Sequence, residues 1–301
     1  MSERRVFRGI IPPILSCLND DETVDVASQR RLVSYLMEGG VHGIFALGSM
    51  GEGTCLAPKE RERCVEAILA EAAGKVPVLA ACSDTSTRRA IDNARVLQAM
   101  GVDAIVCTVP YYNSPDREGV IRHYRTLADA IDRPLLLYNL PGIVKVNLER
   151  DVVLELAREP RIVGIKDSSG NLSDVLRVIM GRPQGKDFVV LQGWDLIVAP
   201  TLLLGGDGAV CGLANLAPRI FRRIYDAVQA GDARLAIELQ RQVVTDYFDF
   251  YSYGSGIAGV KAALSFLGIC GPKVSTPLRP TSEEDRARVR AKLVQNGMLA
   301  G

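Results

Sequence analysis

Four short stretches carry side chains suited to carbonyl chemistry. Val163-Gly164-Ile165-Lys166 sets a primary amine at the end of an apolar run. An amine shielded in that way can attack a ketone and form an imine. Leu135-Leu136-Leu137-Tyr138 ends in a phenol, which can move protons on and off a carbinolamine oxygen. Gly48-Ser49-Met50-Gly51-Glu52-Gly53 is rich enough in glycine for its backbone to approach a ligand and turn N–H groups toward a carboxylate, and Ser49 adds a relay hydroxyl. Pro110-Tyr111-Tyr112-Asn113 offers a second phenol that would extend the relay. Each has an ordinary alternative. Lys166 could reach water or pair with Asp167, Tyr138 could be a core tyrosine, the glycines a plain turn, and the tyrosine pair an interface cluster.

These groups must be held by something. Eight short apolar runs fit strands: Ile10–Leu15, Gly43–Leu47, Val76–Ala81, Ala104–Val109, Leu135–Tyr138, Ile162–Ile165, Phe188–Leu191 and Gly208–Cys211. Between them lie helical spacings such as Leu32, Val33 and Leu36, or Val65, Ile68, Leu69 and Ala72, several closing in glycine. Gly40-Val41-His42-Gly43-Ile44, Gly101-Val102-Asp103-Ala104-Ile105 and Gly206-Asp207-Gly208-Ala209-Val210 echo one another as repeated βα units. Continuous apolar strands are buried on both faces, and eight in series favour a (β/α)8 TIM barrel. No Gly-x-Gly-x-x-Gly or Walker-type stretch supports an open nucleotide-binding sheet. The pattern divides into a barrel over 1–230 and a C-terminal helical extension over 231–301, with helices near 232–250, 257–269 and 282–297. In such a barrel the chemistry sits where strands end. Trp194-Asp195, after the seventh strand, therefore belongs at the pocket mouth, as a substrate selector or a structural pair.

Composition narrows the partners. With 36 Lys and Arg against 35 Asp and Glu in 301 residues, no basic face is required, so nucleic acid is not expected and a small molecule is. The seven scattered cysteines include no C-x-x-C, as in a reduced, cytoplasmic protein. No apolar run approaches the roughly 20 residues of a membrane helix, and no signal segment is expected. Two histidines on separate units give no zinc cluster, and a serine-protease-like triad lacks its elbow.

In order, Gly-Ser-x-Gly-Glu at 48–52, Pro-Tyr-Tyr-Asn at 110–113, Tyr-Asn-x-Pro at 138–141 and Gly-Ile-Lys-Asp-Ser-Ser-Gly at 164–170 resemble the dihydrodipicolinate synthase and N-acetylneuraminate lyase family of class I pyruvate-dependent aldolases. Leu204-Gly205-Gly206-Asp207-Gly208-Ala209-Val210 and Gly259-Val260-Lys261 extend the resemblance over nearly the whole chain. It implies Schiff-base chemistry on pyruvate or another 2-oxo acid, with no metal and no separate cofactor. It makes Lys166 the imine-forming lysine, Tyr138 the general acid/base and Ser49 the relay. Tyr112 would be lent to a neighbouring site, so a dimer or homotetramer is implied. Ser49, Met50, Ser168 and Val210 would line the substrate, Met50 by its backbone N–H, since it stands where a threonine is usual.

The departures bear on substrate. Dihydrodipicolinate synthases carry an arginine two residues after Tyr-Asn-x-Pro, where this chain has Ile143, and loss of that carboxylate partner argues against the lysine pathway. Sialate lyases usually have Asp-Glu after the seventh strand and serine after the eighth; here stand Asp195-Leu196 and Gly212. The nearest resemblance is to the 2-keto-3-deoxy sugar acid aldolases. The expectation is therefore an aldolase releasing pyruvate and an aldehyde. A keto-deoxy acid dehydratase or a condensing enzyme is the alternative within the family, and a pyruvate-binding sensor without turnover the one outside enzymology. A phosphate-binding barrel enzyme is disfavoured by Asp207 beside Gly205-Gly206.

Overall fold

The computed structural model describes residues 7–300. Eight parallel strands run in the order expected: β1 Gly9–Ile10, β2 Ile44–Ala46, β3 Val78–Ala81, β4 Ala104–Thr108, β5 Leu135–Asn139, β6 Ile162–Asp167, β7 Val189–Gln192 and β8 Gly208–Ala209. Each falls within or against a run read from the sequence, and the register links β2 through β8 in sequence, with β8 beside β1. The ring closes between β1 and β2. There the N–H of His42 donates to Ile10 O at 2.7 Å, that of Phe45 to Pro12 O at 2.9 Å, and that of Ile14 to Phe45 O at 2.9 Å. The result is a (β/α)8 barrel.

Strand residues are buried throughout because helices cover the outer face and side chains fill the inner one. The helix over Val26–Glu38 buries Leu32, Val33 and Leu36, and that over Pro58–Ala72 buries Val65, Ile68 and Ala72, the apolar stripes visible in the sequence. Helix starts are fixed by side chains accepting the otherwise unpaired N–H groups: Asp25, Ser86, Asp116, Asn171, Asp232 and Ser282.

One irregularity decides the chemistry. Between β5 and β6 the pairing steps from Leu135–Ile162 to Leu136–Gly164, so Val163 is an extra residue and Tyr138 lies beside Lys166. Without that step Tyr138 would face Ile165, because a one-residue slip turns every side chain to the other face. Gly164 permits the register: a Cβ there would lie 2.4 Å from Val189 Cγ2 and 2.6 Å from Val189 O.

At the other end of the barrel, buried Asp207 accepts from the Val190 N–H at 2.9 Å and from Arg182 at 2.6 Å, and also pairs with Arg8. Asp207 thus ties β8 to β7 far from the strand ends that carry the site.

The extension comprises helices Ala233–Gln242, Ile257–Phe266 and Glu283–Gln295, with a wide turn over Val243–Tyr247 and a tight one over Phe248–Ser252. Its hold on the barrel is specific. Buried Gln240 accepts from the Ala199 N–H and donates to Asp195 O, both at 2.9 Å. Glu52, in the loop after β2, forms a fully buried ion pair with Lys261; its other oxygen accepts from the Ser275 N–H at 2.5 Å, and Lys261 donates to Lys273 O at 2.6 Å. Glu52→Gln leaves the Lys261 charge buried without its counter-ion, which typically costs about 3 kcal/mol. The denaturant midpoint is expected to fall accordingly, and adding Lys261→Met should recover part of the loss. No helix among the described residues is long and apolar enough to cross a membrane.

Candidate active site

Lys166, 4% exposed, points from β6 into a cavity of about 450 Å³ at the strand ends. Its Nζ stands 4.1 Å from the centroid of the Tyr138 ring and 4.9 Å from that of Phe45. Both the water-seeking and the Asp167-paired alternatives fail here. The Asp167 carboxylate accepts instead from Asn139 Nδ2 at 2.8 Å and from the Ser169 N–H and hydroxyl at 2.9 and 2.6 Å. Asn139 in turn accepts from the Leu148 N–H at 3.0 Å, so the whole strand end below the amine is braced.

Tyr138 Oη lies 3.5 Å from Ser49 Oγ. Burial pushes the phenol's pKa up, but the Lys166 charge and contacts with Ser49, Lys166 and Ser168 outweigh it and bring the value below that of ordinary tyrosine. A phenol so poised gives and takes protons more readily at neutral pH.

The turn after β2 leaves the Ser49 and Met50 N–H groups without an acceptor among the described residues. Two adjacent N–H groups beside the amine can receive a carboxylate. Val210 and Ser168 also line the cavity, the latter with its hydroxyl 3.4 Å from Gly193 O. Gly193 must be small, because a Cβ there would lie 2.1 Å from Ser168 Oγ and 3.1 Å from Lys166 Cε. Gly212 likewise makes room for Met50 and Tyr251: a Cβ would lie 3.0 Å from Met50 Sδ and 2.1 Å from the Tyr251 hydroxyl.

Lys166, Tyr138, Ser49, Met50, Ser168 and Val210 therefore meet in one cavity. Tyr112 does not. It is 91% exposed, with φ of 78°, and is absent from the lining around its own chain's Lys166, where the relay reading had placed a second phenol. Its neighbour Tyr111 takes the inward position, lining an adjoining space of about 270 Å³ that shares Ser49 and Tyr138 with the main cavity.

Sequence reasoning missed the contribution of the extension. Phe248, Tyr251, Ser255 and Ile257 close the cavity's outer side. Gly254-Ser255-Gly256 reads in the sequence as a break between helices, and nothing in its spacing points inward. Asp195, expected at the mouth, is buried: its carboxylate accepts from the Leu213 N–H at 2.9 Å and from the Tyr251 hydroxyl at 3.2 Å.

Burial raises the Asp195 pKa from 3.8 to about 6, against the lowering effect of the Leu213 and Tyr251 hydrogen bonds. A carboxyl with a raised folded value stabilises the protein most below its unfolded pKa, and that contribution is lost as pH rises through about 6. Asn can keep both partners without the buried charge. Asp195→Asn is thus expected to stabilise the fold at pH 8 by about 3 kcal/mol, with little gain at pH 4. Chemical denaturation at the two pH values checks this. Among the described residues, no three His, Cys, Asp or Glu side chains gather as a metal site.

The dihydrodipicolinate synthetase family model matches residues 6–296. A 4-hydroxy-tetrahydrodipicolinate synthase of Neisseria meningitidis serogroup B is 36% identical over 98% of this chain and all of its own. Among solved structures, YagE, a prophage protein of the dihydrodipicolinic acid synthase family from E. coli K12 in complex with pyruvate, superposes with a TM-score of 0.93 at 29% identity. That match covers 98% of this chain and 100% of that one. A structure described as the first monomeric dihydrodipicolinate synthase variant gives 0.92 at 28% identity, over 97% and 98% of the two chains.

Proposed function

Because this chain belongs to the dihydrodipicolinate synthetase family and is a lyase of the Schiff-base aldolase type, we propose that it cleaves a 4-hydroxy-2-oxo acid of the 2-keto-3-deoxy class into pyruvate and an aldehyde. The observation that carries this reading is Lys166 Nζ held 4.1 Å over the Tyr138 ring, with the Ser49 hydroxyl 3.5 Å from the phenol.

In the proposed reaction Lys166 adds to the C2 carbonyl while Ser49 and Met50 N–H groups hold the carboxylate. Tyr138, relayed by Ser49, protonates the carbinolamine oxygen, and water leaves as the imine forms. The C4 hydroxyl gives up its proton, the C3–C4 bond breaks, and its electron pair passes to the protonated imine as an enamine. The aldehyde departs. Protonation at C3 and addition of water release pyruvate and restore the amine. No metal or separate cofactor takes part in this scheme.

The named relative supports a synthase, but Ile143 in the cavity lining stands where that activity would call for a carboxylate-binding arginine. We propose further that the working unit is a cytoplasmic homo-oligomer, a dimer or tetramer, with Tyr112 presented to a neighbouring subunit. Its exposure and left-handed backbone support that reading, since such strain in a non-glycine residue clusters at functional positions.

The test is incubation with a series of 4-hydroxy-2-oxo acids, pyruvate being read by NADH oxidation with lactate dehydrogenase. Pyruvate and aldehyde in equal amounts are expected. A dehydrated 2-oxo acid without pyruvate would identify a dehydratase instead, and binding without turnover a sensor.

A further inference from the structure

Beyond Lys166 the cavity widens between mostly apolar side chains, with Thr54, Ser83, Thr108 and Tyr111 as the polar part of the adjoining space. Trp194 and Ile143 are 41% and 62% exposed, unusual for side chains of their size and apolarity, and both face the opening. Trp194, Phe248 and Tyr251 form a ladder of edge-to-face rings with centroids 6.4 and 5.7 Å apart. Leu140, Ile143 and Ile257 line both the main cavity and the adjoining space. Among the described residues of either lining, Lys166 is the sole Lys or Arg.

From this distribution we infer that the aldehyde half of the substrate is uncharged and apolar, an aryl or branched aliphatic aldehyde rather than a polyol, a phosphorylated aldehyde or an aldehyde acid. The inference rests on the pyruvate aldolase reading above and names its substrate class.

Three physical points support it. An anionic tail would leave water for a wall with no cation to receive it, a loss that buried charges tolerate only when paired. Asp195, on the same wall, would add repulsion. A polyol would need several directed partners around one tail, whereas the Asp195 carboxylate is already engaged by Leu213 and Tyr251, and the two unpartnered hydroxyls stand apart, Ser255 in the main cavity and Thr108 in the adjoining space. An aromatic ring, by contrast, meets ring edges and aliphatic side chains over most of its surface, which is where apolar burial and aromatic contact contribute. The resemblance to sugar acid aldolases therefore extends to the reacting carbons and stops short of the tail.

The reverse reaction gives the test. Pyruvate alone with borohydride is scored first for a mass adduct, which reports the underlying aldolase reading independently; with no adduct, that reading falls and this one with it. With the adduct in hand, aldol addition to pyruvate is measured for benzaldehyde, isovaleraldehyde, glyceraldehyde, glyceraldehyde 3-phosphate and succinic semialdehyde. The expected order places kcat/KM for the first two at least about tenfold above glyceraldehyde and about a hundredfold above the two anions. Glyceraldehyde or an anionic aldehyde matching or exceeding benzaldehyde would overturn the inference, as would adduct formation with no aldehyde accepted.

Ile143→Arg supplies a second arm at an exposed position that the fold does not depend on. It should raise kcat/KM for succinic semialdehyde and lower it for benzaldehyde. An unchanged ratio would show that this wall does not choose the aldehyde.

Discussion

Replacing Lys166 with alanine is expected to lower kcat/KM by about ten-thousandfold or more while leaving the fold intact, because the variant has no amine to form the imine on which every later step depends. Lys166 Nζ is held by two ring faces, not by a hydrogen-bonded counter-ion, and the space vacated joins an existing cavity. Its removal therefore orphans no buried partner, and the thermal midpoint should stay close to that of the parent protein. Activity assays with 4-hydroxy-2-oxo acids and thermal denaturation together check both halves. A variant retaining a tenth of the activity would show that another group carries the carbonyl chemistry.

Tyr138→Phe is expected to lower kcat by about a hundredfold to ten-thousandfold, the usual contribution of positioned proton transfer. The substitution isolates the hydroxyl. The ring that faces Phe45 at 81° with centroids 6.1 Å apart remains, as does the face beneath Lys166. Imine formation should slow instead of disappearing, so pyruvate trapping becomes time-dependent. The pH profile adds a signature that a packing defect would not produce. Because the phenol titrates below ordinary tyrosine, the limb of the parent profile it controls should lie under the usual value of about 10 and vanish in the variant. A profile unchanged in shape would assign the proton transfers elsewhere.

The barrel was legible because its determinants are local. All eight strands fall on apolar runs bounded by glycine or polar links, and the helices on stripes such as Leu32, Val33 and Leu36. Lys166, Tyr138 and Ser49 were legible as a group because barrel strands end at one rim, so residues far apart in the chain become neighbours by rule. What brings Tyr138 beside Lys166 and not Ile165 was hidden. The extra residue at Val163 is a matter of register, and Val-Gly reads the same with or without it.

The outer wall was hidden for a different reason. Phe248 and Tyr251 lie in irregular turns between helices of the extension, where no period reveals which side faces inward. The Glu52–Lys261 pair escaped notice because its halves are more than two hundred residues apart, and nothing in either glycine-containing stretch says that the two charges meet. Tyr112 stood out by type, and it lies away from its own chain's cavity, since a loop after a strand can turn a side chain toward the rim or away from it.

The central claim is that Lys166 forms a covalent imine with pyruvate. Incubation of the intact protein with pyruvate and borohydride, followed by peptide mass mapping, tests it most directly. The expected result is one reduced pyruvyl adduct per chain, on the peptide containing Lys166, absent in Lys166→Ala and slower in Tyr138→Phe. No adduct, or an adduct on another lysine that survives in Lys166→Ala, would contradict it.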